Sequence, residues 1–350
     1  MIEMPLAPQD AAKILLQSLP AKRMRDVVER RFGLKGRAAV TLEEIGSAYH
    51  ITRERVRQIE ADALRRIREE EHPLVTPLLV SIEGVLHDHG GVMAAHHLFS
   101  HIGSEKDSAK NNRYVQFLLR ASTRFAYEPE DDAFHARWAL DSDHTLHAGD
   151  AIRSAEARLG ELGKPLAEQD MRVILASEAH IAEAESAPAV RTTDAYLECA
   201  KNIQKNPYGQ YGLATWATIT PRGIKDKAYT ALLRAGKPLH FREVARHIDA
   251  AGWPGRRKAH AQTVHNELIK DGRFILVGRG MYALKEWGYE SGTVRDILVS
   301  LLSAAPGPMG REEIMKMASE RRMVKPQTIL LNLQDKNSFR RTDDGKYLLA

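Results

Sequence analysis

The stretch from Thr41 to Arg68 constrains the fold of this 350-residue chain more than any other part of it. It reads TLEEIGSAYHITRERVRQIEADALRRIR. Thr41 followed three residues later by Glu44 is a capping box that opens one helix, and Thr52 is a cap residue that opens a second. Only residues 49–51 separate the two helices. This pattern predicts a helix-turn-helix.

The second helix of this pair has two chemically different faces. A period of 3.6 residues gathers apolar side chains on one stripe, which consists of Val56, Ile59, Ala63 and Ile67. The opposite face carries Arg53, Glu54, Arg57, Gln58 and Arg65. Arginine, glutamine and glutamate match guanine, adenine and cytosine edges in the major groove, so the face is a candidate for reading DNA. A solvated charged surface is the alternative interpretation.

The segments LPAKRMRDVVERRFGL (19–34), TLEEIG (41–46) and TRERVRQIEADALRRIR (52–68) resemble the C-terminal promoter-reading domain of housekeeping-type sigma factors. This resemblance covers about the first fifth of the chain. It implies that Arg53, Glu54, Arg57 and Gln58 contact the bases of a −35-like promoter element, and that the domain contacts RNA polymerase. We expect Thr52 and Arg65 to contact the DNA backbone.

The rest of the chain repeats itself. The proline of His72-Pro73 predicts the end of the second helix, and Gly163-Lys164-Pro165-Leu166 recurs 73 residues later as Gly236-Lys237-Pro238-Leu239. Weaker copies of the motif place equivalent apolar residues at Met93 and Met309. A repeated spacing of this kind indicates several units of one design, and we predict four.

Each unit is predicted to contain three helices and a β-hairpin, which is a winged helix. In the second unit we expect helices over 171–186 and 193–203. The predicted fold is therefore mainly α with small β-hairpins, an N-terminal helix-turn-helix followed by tandem winged-helix units. The expected boundaries are 1–72 for the helix-turn-helix domain, then 73–140, 141–220, 221–290 and 291–350 for the four units.

The third unit carries a second resemblance. Its segments GKPLHFREVA, TVHNELI and GRGMYAL, within residues 224–289, resemble the HARE-type winged helix. That module recurs in bacterial polymerase-associated subunits, restriction enzymes and chromatin factors. The pairing of a sigma-type reader with HARE-type winged helices resembles a bacterial group of sigma-like regulators.

Charge separates the second unit from the third. Residues 221–290 hold 14 basic and 7 acidic side chains, a net charge of +7, whereas residues 141–220 hold 7 basic and 12 acidic ones, a net charge of −5. A basic module neutralises phosphates and an acidic one is repelled by them. We therefore expect DNA-backbone contacts from Arg256, Arg257, Lys258, Lys270, Arg273 and Arg279. A protein-binding role is the alternative for the third unit, and a protein contact or a spacer role is expected of the acidic one.

Other classes of protein are not supported by the sequence. No phosphate-binding loop, HExxH motif or nuclease-like carboxylate cluster is present, so we expect no enzyme, no cofactor and no small-molecule substrate. Histidines crowd positions 87, 89, 96, 97 and 101, where an i, i+4 metal site is the alternative to ordinary helix residues. Cys199 is the single cysteine and no apolar run could span a membrane, so a cytoplasmic, nucleoid-associated protein is expected.

Two functions of different kind follow from these features. The first is a DNA-binding transcription factor that reads a promoter element and contacts RNA polymerase. The second is a polymerase-associated or architectural DNA-binding accessory protein without promoter specificity. Because only about 18 residues precede Leu19 and aromatic content is 6%, we expect no domain that captures unstacked −10 bases, and no initiation of transcription without a complete sigma factor.

Overall fold

Helices make up most of the chain, and the strands form small two- or three-stranded sheets. The computed structural model describes residues 4–36, 38–102, 108–255, 258–290, 292–321 and 324–350. The predicted fold class, mainly α with small antiparallel sheets, is confirmed for this part of the chain. The chain divides into two compact units, one of residues 1–204 with 211–214 and one of residues 205–210 with 215–350.

The N-terminal segment folds into four helices. They are α1 (Pro8–Ser18), α2 (Lys22–Arg31), α3 (Leu42–Tyr49) and α4 (Arg53–Glu70). The predicted cap residues are confirmed, since Thr41 and Glu44 form a reciprocal capping box and the Thr52 hydroxyl accepts a hydrogen bond from the Arg55 amide. The predicted helix-turn-helix, formed by α3 and α4, is therefore confirmed.

The next two segments of the chain have the same order of elements. The first consists of α5 (Thr76–Asp88), β1 (Val92–Ala94), α6 (Ala95–Ile102), α7 (Ser108–Ala121), β2 (Ala126–Glu128) and β3 (Arg137–Ala139). The second consists of α8 (Ser142–Leu162), β4 (Leu166–Ala167), α9 (Glu168–Glu178), α10 (Ala187–Cys199), β5 (Ile203–Lys205) and β6 (Gln210–Leu213). In both sheets the first strand pairs with the third, giving the orders β1-β3-β2 and β4-β6-β5.

The helix predicted over residues 171–186 is wrong. Helix α9 ends at Glu178, and His180 and Glu183 both adopt left-handed backbone angles that no helix continues. Helix α10 then begins earlier than predicted, because the Ser186 hydroxyl caps it by accepting a hydrogen bond from the Ala189 amide. A proline in its first turn also favours this start.

The third segment repeats the order of the first two. It consists of α11 (Ile224–Ala235), β7 (Leu239–His240), α12 (Phe241–Ala251), α13 (Ala261–Lys270), β8 (Phe274–Gly278) and β9 (Met281–Leu284), followed by a short 3-10 helix (Lys285–Trp287). Its sheet order is β7-β9-β8. It contains the three helices and the β-hairpin that were predicted for each unit, together with the additional strand β7.

The fourth segment follows the pattern with one strand fewer. It consists of α14 (Val294–Ala304), α15 (Arg311–Arg321), α16 (Pro326–Leu333), β10 (Phe339–Arg341) and β11 (Tyr347–Leu349). An isolated bridge from Met309 to Tyr347 replaces the first strand. The four apolar positions of the sequence repeat, at Met93, Leu166, Leu239 and Met309, are all buried and lie in the first strand or in this bridge.

A single hydrophobic core joins the N-terminal helices to the first repeat. It contains Leu15 and Leu16 of α1, Ile67 of α4, and Phe117 and Leu118 of α7. Helix α7 packs against both α1 and α4. In the other compact unit, the third and fourth segments each have a core of their own.

Candidate nucleic-acid interface

The turn between α3 and α4 is held by a close backbone approach. His50 takes a left-handed conformation after α3, and the Ile51 amide donates a hydrogen bond to the Gly46 carbonyl oxygen at 3.0 Å. A Cβ atom on Gly46 would lie 2.7 Å from the Ile51 carbonyl oxygen, which is too close for any side chain. Glycine at this position therefore allows α3 to pack tightly against the entry to α4.

Helix α4 presents the two faces that its sequence predicted. Val56, Ala63 and Ile67 are buried, with Val56 packing on Val27 and Ile45 of the neighbouring helices. The predicted base-reading residues are all exposed, and they are Arg53, Glu54, Arg57 and Gln58. The structure thus places these four side chains together on the solvent side of the first two turns of α4.

Arg57 and Glu54 form a two-point ion pair on this face. The Arg57 Nε and Nη2 atoms donate to the two Glu54 carboxylate oxygens at 2.9 and 2.7 Å. These hydrogen bonds, which Arg57 donates and Glu54 accepts, lower the pKa of the Glu54 carboxyl and raise the pKa of Arg57. Beside them, Arg55 Nη1 donates to the Gln58 side-chain oxygen at 3.1 Å. Arg55 was not among the predicted site residues, although the i, i+3 spacing of the pair was a signal for it.

The two predicted backbone contacts of this segment differ in their surroundings. Thr52 is exposed at the cap of α4. Arg65 lies in the C-terminal half of α4, where its guanidinium pairs with Asp62 and Glu69 on the same helix. Arg65 must therefore exchange these partners before it can hold a phosphate.

The predicted contacts of the third segment surround α13. Lys258 precedes this helix, Lys270 is its last residue, and Arg279 lies at the turn between β8 and β9, and all three are exposed. Arg256 and Arg257 lie outside the described residues. Along the chain, the three described cations thus lie before α13, at its last residue and in the hairpin that follows it.

Arg273 occupies a different environment from the one that the sequence suggested. Its Nη2 atom lies 2.8 Å from Asp226 Oδ1 and 2.7 Å from Asp271 Oδ2, while the Asp226 side chain is only 8% exposed. These hydrogen bonds raise the pKa of Arg273 and lower the pKa of Asp271. The guanidinium links α11 to the residues before β8. We therefore assign Arg273 a structural role within the segment and not a contact with the DNA backbone.

Within the histidine-rich stretch, the rings of His89, His97 and His101 contact one another. The ring centroids of His89, His97 and His101 lie 4.8 to 5.9 Å apart, and His89 Nδ1 bonds the Val85 carbonyl oxygen. Burial lowers the pKa of His97 to about 4, which keeps that imidazole neutral. Within the described ranges no group of three or more His, Cys, Asp or Glu side chains has a metal-binding arrangement.

Two further sequence features have plain structural outcomes. Cys199 is fully buried, and burial raises the pKa of its thiol to about 12, so the thiolate form is strongly disfavoured. Among the described helices, none has the length and apolar character that crossing a bilayer would require.

Comparison with known proteins assigns the N-terminal segment to a family. Residues 15–69 match the model of Sigma-70, region 4. Over 65 residues the chain is 49% identical to the RNA polymerase sigma factor SigA of Nostoc sp., which corresponds to 19% of this chain and 15% of that protein. The chain therefore spans less than a sixth of the length of this relative. Residues 15–69, which include the helix-turn-helix of α3 and α4, are thus similar to sigma-70 region 4.

Proposed function

We propose that this protein is a sequence-specific DNA-binding transcription factor that reads a −35-like promoter element through α4 and contacts RNA polymerase. In this proposal Arg53, Glu54, Arg57 and Gln58 meet base edges, and Thr52 and Arg65 contact the backbone. No catalytic step, cofactor or small-molecule substrate forms part of the function. The place of action is the nucleoid of the cytoplasm.

One observation carries the proposal. The four side chains proposed to read bases lie exposed on one face of α4, while the opposite face is buried against α2 and α3. Helix N-terminal turns are the part of such motifs that reaches the bases. The first two turns of α4 therefore have both the side chains and the access that major-groove recognition needs.

The third segment supports an extended footprint. We propose that it is a HARE-type winged helix, because the elements of 224–287 follow the helix, strand, helix, helix and hairpin order of that fold. Lys258, Lys270 and Arg279 would hold phosphates on either side of α13, and the net charge of +7 in this region favours DNA over a protein partner. The remaining segments are proposed as winged-helix units of the same repeat.

The competing function is an accessory DNA-binding protein without promoter specificity, and footprinting of the full chain at moderate salt separates the two. A discrete protected site supports the transcription factor, whereas uniform protection with a steep salt dependence supports the accessory protein.

Replacing Arg57 or Gln58 by alanine should cost about 1–3 kcal/mol at the preferred site and little on random DNA. Equal weakening on both DNAs would contradict base reading by α4.

The polymerase contact is tested separately. Core RNA polymerase immobilised on a resin should retain the full-length chain at low micromolar concentration. In a transcription assay on a promoter that the protein binds, its effect should require a complete sigma factor. Specific transcripts made with core polymerase and this protein alone would contradict the proposed role as a regulator.

A further inference from the structure

The third helices of the repeated segments have different surroundings. In the first segment α7 packs against α1 and α4, and Val115, Phe117, Leu118 and Leu119 are completely buried. In the second, α10 packs against β1 and α9, and Thr193, Ala195, Tyr196 and Cys199 are buried. Both helices belong to the compact unit of residues 1–204, and each buries more of its described side chains than α13 does.

Helix α13 is placed differently. Only Val264 and Leu268 of this helix are buried, and they face the core of the third segment. The opposite stripe is exposed and consists of Gln262, Thr263, Asn266, Ile269 and Lys270. Ile269 is 63% exposed, so this stripe also presents a large apolar side chain to solvent.

The amide side chains of this stripe are linked to each other. The Gln262 Nε2 atom donates a hydrogen bond to Asn266 Oδ1 at 3.2 Å. With that bond made, the pair still offers the Gln262 Oε1 atom as an acceptor and the Asn266 Nδ2 atom as a donor. Adenine presents the complementary pattern in the major groove, an N6 donor beside an N7 acceptor.

We propose that α13 is a second base-reading helix, with Gln262 and Asn266 on an adenine and Ile269 against a thymine methyl group. The occupant is the major groove of duplex DNA at A·T base pairs. Charge supports this choice, because Lys258, Lys270 and Arg279 are exposed around the helix and the segment carries a net charge of +7. The inference rests on the proposed function only in taking duplex DNA as the ligand.

The fourth segment is a weaker candidate for the same role. Helix α16 has eight residues and exposes Gln327, Thr328 and Leu331. However, its hairpin turns through Asp343 and Asp344, which would repel the phosphates beside a bound groove. The turn beside α13 carries Arg279 instead. The third segment is therefore the one whose helix and hairpin both suit DNA.

The test is selection of bound sequences from a random duplex library, followed by affinity measurements, with the full-length chain. Wild-type protein should enrich two separate blocks of sequence. The variant Arg57→Ala should lose one block, and the double variant Gln262→Ala/Asn266→Ala should lose only the other, which should contain an A·T pair. Removing one bidentate pairing between a side chain and a base should lower affinity for that block about 5- to 150-fold relative to random DNA.

Ile269→Ala should relax the preference for thymine next to the adenine. Gln334→Ala removes an exposed glutamine outside α13 and should change neither block, and melting curves of all variants should match the wild type because the residues are exposed. The proposal for α13 is overturned if no enriched block depends on Gln262 and Asn266, or if the double variant loses affinity equally for all DNA. If the wild type enriches no Arg57-dependent block, the result counts against the function proposed for α4 and not against α13.

Discussion

At the scale of single residues, the Glu54–Arg57 ion pair is the feature that bears most directly on the proposed recognition of DNA. Both side chains are more than half exposed, so the pair contributes little to stability. The ion pair instead makes Arg57 less available to a base, because in the free protein the Glu54 carboxylate already occupies the guanidinium donors that would bind a guanine. DNA must either open this pair or accept both groups together.

Replacing Glu54 by glutamine should therefore release Arg57 and remove one negative charge from the DNA-facing surface. Binding to random DNA should tighten several-fold. Discrimination for the preferred site should fall by about 1–3 kcal/mol, because the neutral amide accepts more weakly from a base amino group than the Glu54 carboxylate does and can also present a donor. Affinities for both DNAs at one salt concentration measure the effect. Asp62→Asn is the matched control, since it also removes a negative charge from α4 but should preserve the preference. An unchanged preference in Glu54→Gln would contradict the assignment.

Arg273 and Arg279 form a second matched comparison in the third segment. Arg273→Ala leaves the nearly buried Asp226 carboxylate without its charged partner and should lower the free energy of unfolding by about 1.5–3 kcal/mol. Arg279→Ala should leave the melting temperature unchanged and reduce the slope of log affinity against log salt by about one. Thermal melts and salt titrations check both variants. A salt slope that falls only in Arg273→Ala would reverse the two assignments.

Sequence alone predicted the exposed residues of α4 but not the position of Arg273. The first prediction depends on helical periodicity, which is a local property of about two turns. The second depends on Asp226, which lies 47 positions earlier in the chain and meets Arg273 only when α11 packs beside β8. A charged residue on a hairpin suggests a surface contact until its folded partner is known.

At the scale of elements, the helix-turn-helix depends on one glycine. Gly46→Ala would force a Cβ atom to 2.7 Å from the Ile51 carbonyl oxygen, so α3 and α4 would have to move apart. We expect a loss of about 1–3 kcal/mol in stability and loss of site-specific binding. Gly84→Ala in α5 is the control, because its new Cβ atom would meet no atom within 4 Å and should stabilise the helix slightly. Calorimetry measures the change in stability, and gel-shift assays measure site-specific binding. Equal melting temperatures for Gly46→Ala and the wild type would refute the close-packing argument.

Helices α7 and α10 of the first compact unit show how much of a helix and its surroundings can be predicted from the sequence. The run Tyr114-Val115-Gln116-Phe117-Leu118-Leu119 is apolar except for Gln116, and its five apolar residues are all buried whereas Gln116 is exposed. The sequence contained this signal for α7, although not the identity of α1 and α4 as its partners. For α10 the start was misplaced, because residues up to 186 were predicted to continue the preceding helix, whereas Ser186 caps the start of α10.

At the scale of the whole molecule, the continuous core of the first unit predicts that the promoter-reading helices do not fold alone. A fragment of residues 1–72 would expose Leu15, Leu16 and Ile67, which contribute to one core with α7. We expect this fragment to have little cooperative unfolding and to bind an apolar dye, whereas a fragment of residues 1–140 should unfold cooperatively. Circular dichroism melts and dye fluorescence compare them. A cooperative melt of 1–72 with wild-type DNA affinity would show that α7 is dispensable.

That shared core has a consequence for how such a protein can change its target. A helix-turn-helix domain that shares buried side chains with the next segment cannot simply be replaced by another such domain. The replacement would also need a surface that fits Phe117 and Leu118. New specificity must then come from single substitutions on the exposed side of the first turns of α4, where no packing has to be preserved. Engineers who wish to retarget this chain should vary the exposed residues within 53–58 and leave the buried Val56 untouched.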